Sequence, residues 1–178
     1  FVRGCDVLRR AGLPATGAGA TLARALEPVI WEKNGLRIAC FSMNFVNAEN
    51  FAAGEAAAGT LSLPGHAADL AAAFQRLREA EPATLIIALP HWGREGLREV
   101  SALQREWARW LIDHGAAAVI GCGPHLCQDL DAWRGRPVCY STGNLHAHTF
   151  GPPENAARQL LRLALSSDGT AVSMAWVE

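Results

Sequence analysis

Thr84-Leu85-Ile86-Ile87-Ala88-Leu89-Pro90-His91-Trp92-Gly93-Arg94-Glu95 is the stretch that decides the fold. Thr84 to Leu89 is a continuous apolar run, the mark of a strand buried on both faces. It passes straight into a short segment that carries a histidine and a glycine. A second stretch repeats the arrangement. Ala116 to Ile120 is again apolar throughout and leads into Gly121-Cys122-Gly123-Pro124-His125. Two such strands, adjacent and central in one sheet, need cover on two sides, and that requirement selects an α/β architecture.

The elements around them fit. Ser101 to His114 is the clearest helix, with Leu103, Trp107, Trp110 and Leu111 as its apolar stripe and Gly115 ending it. On that stripe Trp107 is expected to be core, and its truncation to alanine to cost about 3–5 kcal/mol. His66 to Glu81 reads as a helix with Leu70, Phe74 and Leu77 on one face. Asn34-Gly35 between Pro28–Lys33 and Leu36–Ser42 is a two-residue hairpin signal. Phe1 to Gly12 reads as a helix already in progress, and Thr21 to Leu26 as a short one. Met43 to Gly65, small, polar and aperiodic, is expected to be a long loop. Toward the C-terminus, Gln128–Trp133 pairs with Pro137–Tyr140 across Arg134-Gly135-Arg136. Ala157–Leu165 pairs with Ala171–Val177 through Ser167-Asp168-Gly169. No internal repeat or linker is visible, so residues 1–178 read as one domain or part of one.

Composition excludes several classes. Half of the residues are hydrophobic, 19% are charged and the formal net charge is −1, the balance of a folded globular chain. A nucleic-acid surface would show a basic excess, so none is expected. No run approaches the roughly 18 apolar residues of a membrane span, and membrane association would have to come through other segments. The five cysteines are odd in number and irregularly spaced, which argues against a disulfide framework. Cys40 and Cys139 lie in apolar runs and read as small buried hydrophobes. The chain opens on Phe1 without a Met, so the lack of a visible signal peptide leaves its compartment undecided.

Chemistry is expected at the strand ends. In open α/β sheets, sites form where loops from the carboxyl ends of neighbouring strands converge. Three such places carry polar groups: His91 after the first strand, Cys122 and His125 after the second, and Ser141-Thr142-Gly143-Asn144 after the strand ending at Tyr140. Neutral imidazole and thiolate are good donors for zinc, iron or manganese ions, so His91, His125 and Cys122 are the candidate metal ligands. Glu95 and Asn144 are the candidate substrate-binding residues. Each has a plainer alternative: hydrogen-bonded loop histidines, an inert thiol at Cys122, a solvated Glu95 and a turn residue at Asn144. His146 and His148 alternate and read as exposed. His66 and His114 read as helix-start and helix-end residues.

Taken together, His91-Trp92-Gly93-Arg94-Glu95, Gln104, Leu111-Ile112-Asp113-His114-Gly115-Ala116, Val119-Ile120-Gly121-Cys122-Gly123-Pro124-His125 and Tyr140-Ser141-Thr142-Gly143-Asn144 resemble the C-terminal signature of the CapA/PgsA capsule-synthesis family. Upstream, Asp6-Val7-Leu8, Gly12 and Gly17-Ala18-Gly19 also look like the family pattern, so the resemblance spans residues 1 to about 145. It implies a layered α/β sandwich similar to calcineurin-like metallophosphoesterases, of which this chain lacks the N-terminal part. By that analogy His91 matches a ligand histidine of the fourth motif, while Cys122 and His125 take the His-x-His-type positions of the last motif.

The resemblance implies a role in capsule or poly-γ-glutamate biosynthesis through a metal-dependent, phosphoesterase-like hydrolase domain. Divalent Mn, Fe or Zn would be the cofactor, and an anionic polymer or phosphoester the substrate. The alternative is a non-catalytic polymer assembly or binding component with a degenerate metal site. The family's early Asp, Asn-Leu-Glu and Asn-Asn-His motifs are not in this sequence, and Cys122 stands where a histidine is usual. Two imidazoles and a thiol without carboxylates do not make a hard two-metal clamp. Hydrolysis and tight metal binding are therefore not expected of this chain alone. The family likeness also implies an extracytoplasmic or membrane-associated location; without it the reading would be cytoplasmic.

Overall fold

Both apolar runs alternate in the direction they face, which their composition conceals. The computed structural model describes residues 2–144, 160–166 and 171–177. Its frame is a six-stranded mixed sheet. The strands are β2 (Val29–Lys33), β3 (Leu36–Asn44), β5 (Leu85–His91), β6 (Ala118–Ile120), β7 (Leu130–Trp133) and β8 (Arg136–Cys139), in the order β2-β3-β5-β6-β8-β7. The inner four run parallel, and β2 and β7 pair antiparallel at the edges. β5 and β6 are adjacent and central, as their composition requires.

On one face, Ile86 and Ala88 join Ala39, Phe41, Val119 and Val138 under helices α4 (Ala67–Ala80) and α5 (Ala102–Asp113). The helices supply Leu70 and Phe74 from α4 and Ala108, Leu111 and Ile112 from α5. On the other face, Leu85, Ile87, Ala117 and Ala118 pack against Leu163, Leu165 and Met174. Those residues belong to the antiparallel hairpin β9 (Leu160–Leu165) and β10 (Ala171–Val177). The sandwich thus has helices on one side and a β-hairpin on the other. The expected turn Ser167-Asp168-Gly169 and the first residues of the expected strand, Ala157, Arg158 and Gln159, lie outside the described residues, as do His146 and His148.

Local signals are obeyed where geometry is local. Asn34 and Gly35 both take positive φ, 52° and 78°, as a two-residue hairpin turn with matching twist demands. The second hairpin turns on Arg134 and Gly135 alone, with Arg136 already in β8, so the turn is one residue shorter than the sequence suggests. α1 (Val2–Arg10) and α2 (Leu22–Ala25) fall where expected, α2 being capped by the Thr21 hydroxyl.

Two expectations need correction. Met43–Gly65 is not a plain loop. β3 continues through Asn44, followed by α3 (Ala48–Phe51) and β4 (Gly59–Thr60), which pairs with β1 (Ala18–Gly19). Ala53, Leu61 and Leu63 are buried, and the Leu61 N–H donates to the Gly17 carbonyl at 2.8 Å. These contacts are long-range, so no periodicity betrays them. Leu103, assigned to the apolar stripe of α5, is 57% exposed. The buried stripe is Gln104, Ala108, Leu111 and Ile112, with Trp107 and Trp110 half-buried at its edge. Polar Gln104 holds the inward position because it has partners there. Its Oε1 accepts from the Ser101 N–H at 3.1 Å, completing a capping box, and its Nε2 donates to Gln128 Oε1 at 2.9 Å.

Candidate functional site

Four parallel strands end along one edge of the sheet, and their registers fix which residues meet there. Asn44 pairs with His91 across β3 and β5, and His91 forms an isolated bridge with Cys122. Backbone bonds continue the stitching. The Phe45 N–H donates to the His91 carbonyl, the Trp92 N–H to the Cys122 carbonyl and the Cys122 N–H to Pro90, each at 2.9 Å. Trp92 is the pillar of this edge: its buried indole N–H donates to the Tyr140 carbonyl at 2.7 Å. The glycines of the last loop are dictated by that pillar. A Cβ on Gly121 would stand 2.3 Å from the Tyr140 oxygen and 2.4 Å from Trp92 Nε1, and one on Gly123 2.2 Å from the Trp92 oxygen.

The candidate side chains gather in two linked pairs. Cys122 Sγ lies 3.6 Å from His91 Nδ1. His125 Nδ1 lies 2.8 Å from Asn144 Oδ1, where the amide oxygen accepts. That bond puts the proton of a neutral His125 ring on Nδ1 and the lone pair on Nε2. His125 sits at φ 63°, a left-handed conformation unusual for a side-chain-bearing residue. Burial and then the nearby His125 charge push His91 below its usual 6.5, so the two rings share one electrostatic neighbourhood. Desolvation pushes the Cys122 thiol up. Burial pushes Cys139 up to about 12, the inert thiol its apolar run suggests. All five cysteines are free.

Glu95 stands on a loop stitched to the His125 segment, the Gly96 N–H donating to the Pro124 carbonyl at 2.9 Å. It is exposed on the loop after Trp92, and no hydrogen bond or ion pair engages it among the described residues. Asn44, which sequence reasoning left inside a loop, stands at the strand end beside His91. Its side chain closes an Asx-type turn, with Nδ2 donating to the Val46 carbonyl at 2.8 Å. An asparagine closing an alternating strand was the available signal. His66 and His114 are indeed helix-terminal: His66 Nδ1 accepts from the Ser62 N–H, and His114 stacks on Trp110.

The donor chemistry bears directly on a metal. His91 and His125 offer imidazoles, Cys122 a thiol and Asn144 an amide already engaged by His125. Among the described residues no group of three or more His, Cys, Asp or Glu side chains assembles for an ion. This set does not fit a two-metal clamp.

Fold and edge together define an α/β sandwich with an imidazole–amide cluster at the carboxyl ends of its parallel strands. Residues 1–149 match the family described as bacterial capsule synthesis protein PGA_cap, and the chain belongs to that family. It is 31% identical over 134 residues to the PGA biosynthesis protein CapA of Bacillus subtilis (strain 168), covering 74% of this chain and 34% of that protein. It is 28% identical over 170 residues to the capsule biosynthesis protein CapA of Bacillus anthracis, covering 92% and 40% respectively. The chain therefore spans well under half the length of these relatives.

Proposed function

We propose that this chain serves capsule or poly-γ-glutamate biosynthesis as a stretch of a longer protein, and that its strand-end cluster binds the anionic polymer or a phosphoester precursor without hydrolysing it alone. The match of residues 1–149 to the capsule synthesis family carries the role. The donor set supports the restriction to binding: imidazole, thiol and amide groups hydrogen-bond an anionic ligand, and among the described residues no carboxylate joins them in a group. His125 and Asn144 orient one another, and the left-handed backbone at His125 holds its ring toward that amide.

The test is polymer binding and polymer output by the full-length protein. Replacing His91 and His125 together with alanine is expected to weaken both. Undiminished binding and output would overturn the reading.

A second reading, metal-dependent hydrolysis in the whole protein, is favoured by one observation. His91 is held below its usual range and so remains unprotonated, the form that ligates. Metal content and phosphoester hydrolysis of the full-length protein decide between the two. Stoichiometric metal that disappears with both histidines supports the hydrolase, and its absence from active protein supports binding alone.

A further inference from the structure

The opposite end of the sheet carries a second polar feature. Thr84 to His91 is seven residue steps along an extended chain, so Thr84, just before β5, and His91, at its end, lie roughly 23 Å apart. At the amino end, a cavity of about 390 Å³ opens between α4, the approach to β6 and the β7–β8 turn. Its polar rim is Arg78, Arg134 and Arg136, its lining includes Thr84 and Gly115, and among the described residues no carboxylate lines it.

Three observations make this more than a cationic surface. Thr84 is only 7% exposed, and its Oγ1 has no hydrogen-bond partner among the described residues. A buried hydroxyl left without a partner is costly, and a ligand acceptor in the cavity would supply one after rotation about χ1. Second, no ion pair engages Arg78 or Arg136 among the described residues. Arg134 is partly neutralised, its Nε donating to Asp113 Oδ1 at 3.0 Å while its terminal nitrogens keep further donors. Third, a glycine leaves room for one of the arginines. A Cβ on Gly115, at φ 122°, would stand 3.0 Å from Arg78 Cδ and 3.1 Å from Nη1, so the bare backbone lets Arg78 lie across it.

We infer that this cavity is an anion-binding site for a chain of repeated carboxylates. Guanidinium forks match carboxylates two bonds at a time. The arginines come from two separate elements around a cavity too roomy for one carboxylate, which suits a ligand presenting several. The polymeric character of that ligand rests on the proposed role in capsule synthesis. The site itself is independent of the histidine cluster.

Titration of the full-length protein with a glutamate oligomer, and separately with inorganic phosphate, tests this. The proteins compared are the parent, R78A/R136A, T84V and H91A/H125A, each checked for a native circular dichroism spectrum. R78A/R136A is expected to lose about tenfold or more in oligomer affinity, and T84V a few-fold. The loss should shrink as salt rises, because the contacts are ionic. Binding by R78A/R136A equal to the parent overturns the inference. If only H91A/H125A weakens binding, the arginine site falls and the proposed function stands. Phosphate binding lost in R78A/R136A while the oligomer is unaffected overturns the assignment to a carboxylate chain. No oligomer binding by the parent overturns the inference and leaves the proposed function only its phosphoester ligand.

Discussion

Gln104→Leu tests the least expected feature of the core, a buried glutamine pair that ties α5 to the loop after His91. The Gln104 Oε1 accepts from the Ser101 N–H at 3.1 Å, and its Nε2 donates to Gln128 Oε1 at 2.9 Å. Gln128 Nε2 in turn donates to the Leu97 and Glu99 carbonyls, each at 3.1 Å. Leucine at position 104 removes the reciprocal half of the capping box, about 1 kcal/mol. It also leaves the Gln128 acceptor buried without a donor, about 1–3 kcal/mol. The sum is roughly 2–4 kcal/mol, and the melting temperature falls with it. Calorimetry of the full-length protein reads the shift. The sharper test is the cycle with Gln128→Leu. An apolar pair leaves nothing unsatisfied between the two side chains, so the double variant should lose less than the sum of the singles. Strict additivity, or a Gln104→Leu protein that melts like the parent, would show that the pair is not a coupled buried network.

Trp107 packs edge-on to Phe45 at 5.3 Å and against Trp110 at 5.1 Å but is only half-buried, so Trp107→Ala is expected to cost about 2–3 kcal/mol by urea unfolding, below the value its sequence position suggests. Gly121→Ala should cost about 3 kcal/mol or more and cut soluble yield, since its methyl would meet a carbonyl at 2.3 Å; native stability would refute the close packing. In an NMR titration His91 should protonate below 6.5, and His125→Ala should raise that midpoint without fully restoring it, because desolvation is the larger cause. A folded-state value below the unfolded one means His91 binds fewer protons when folded. Its contribution to stability is therefore present above about pH 6.5 and is lost as pH falls toward the depressed value, a dependence that His91→Gln should remove.

The sequence by itself determined the sheet's centre, its main helices and the edge where chemistry would gather. Apolar runs at Leu85–Leu89 and Ala116–Ile120 can be stable only under cover on both faces, and Asn34-Gly35 can turn only where both residues accept positive φ. His91, His125 and Asn144 were legible for a related reason: a polar residue in a Gly-rich turn directly after a buried strand has few places to go. What occupies the two faces was not legible, because a strand buried under a helix and one buried under a β-hairpin have the same composition. Nor was the order within Met43–Gly65, whose buried Leu61 and Leu63 are held by bonds to Gly17 and to Asn44 at the end of β3. Exposed Leu103 and buried Gln104 reverse the hydropathic expectation, because Gln104 alone of the two finds partners inside. The pairing of His91 with Cys122 and of His125 with Asn144 was decided only by strand register and loop closure. Those are contacts between residues far apart in the chain, and no local pattern records them.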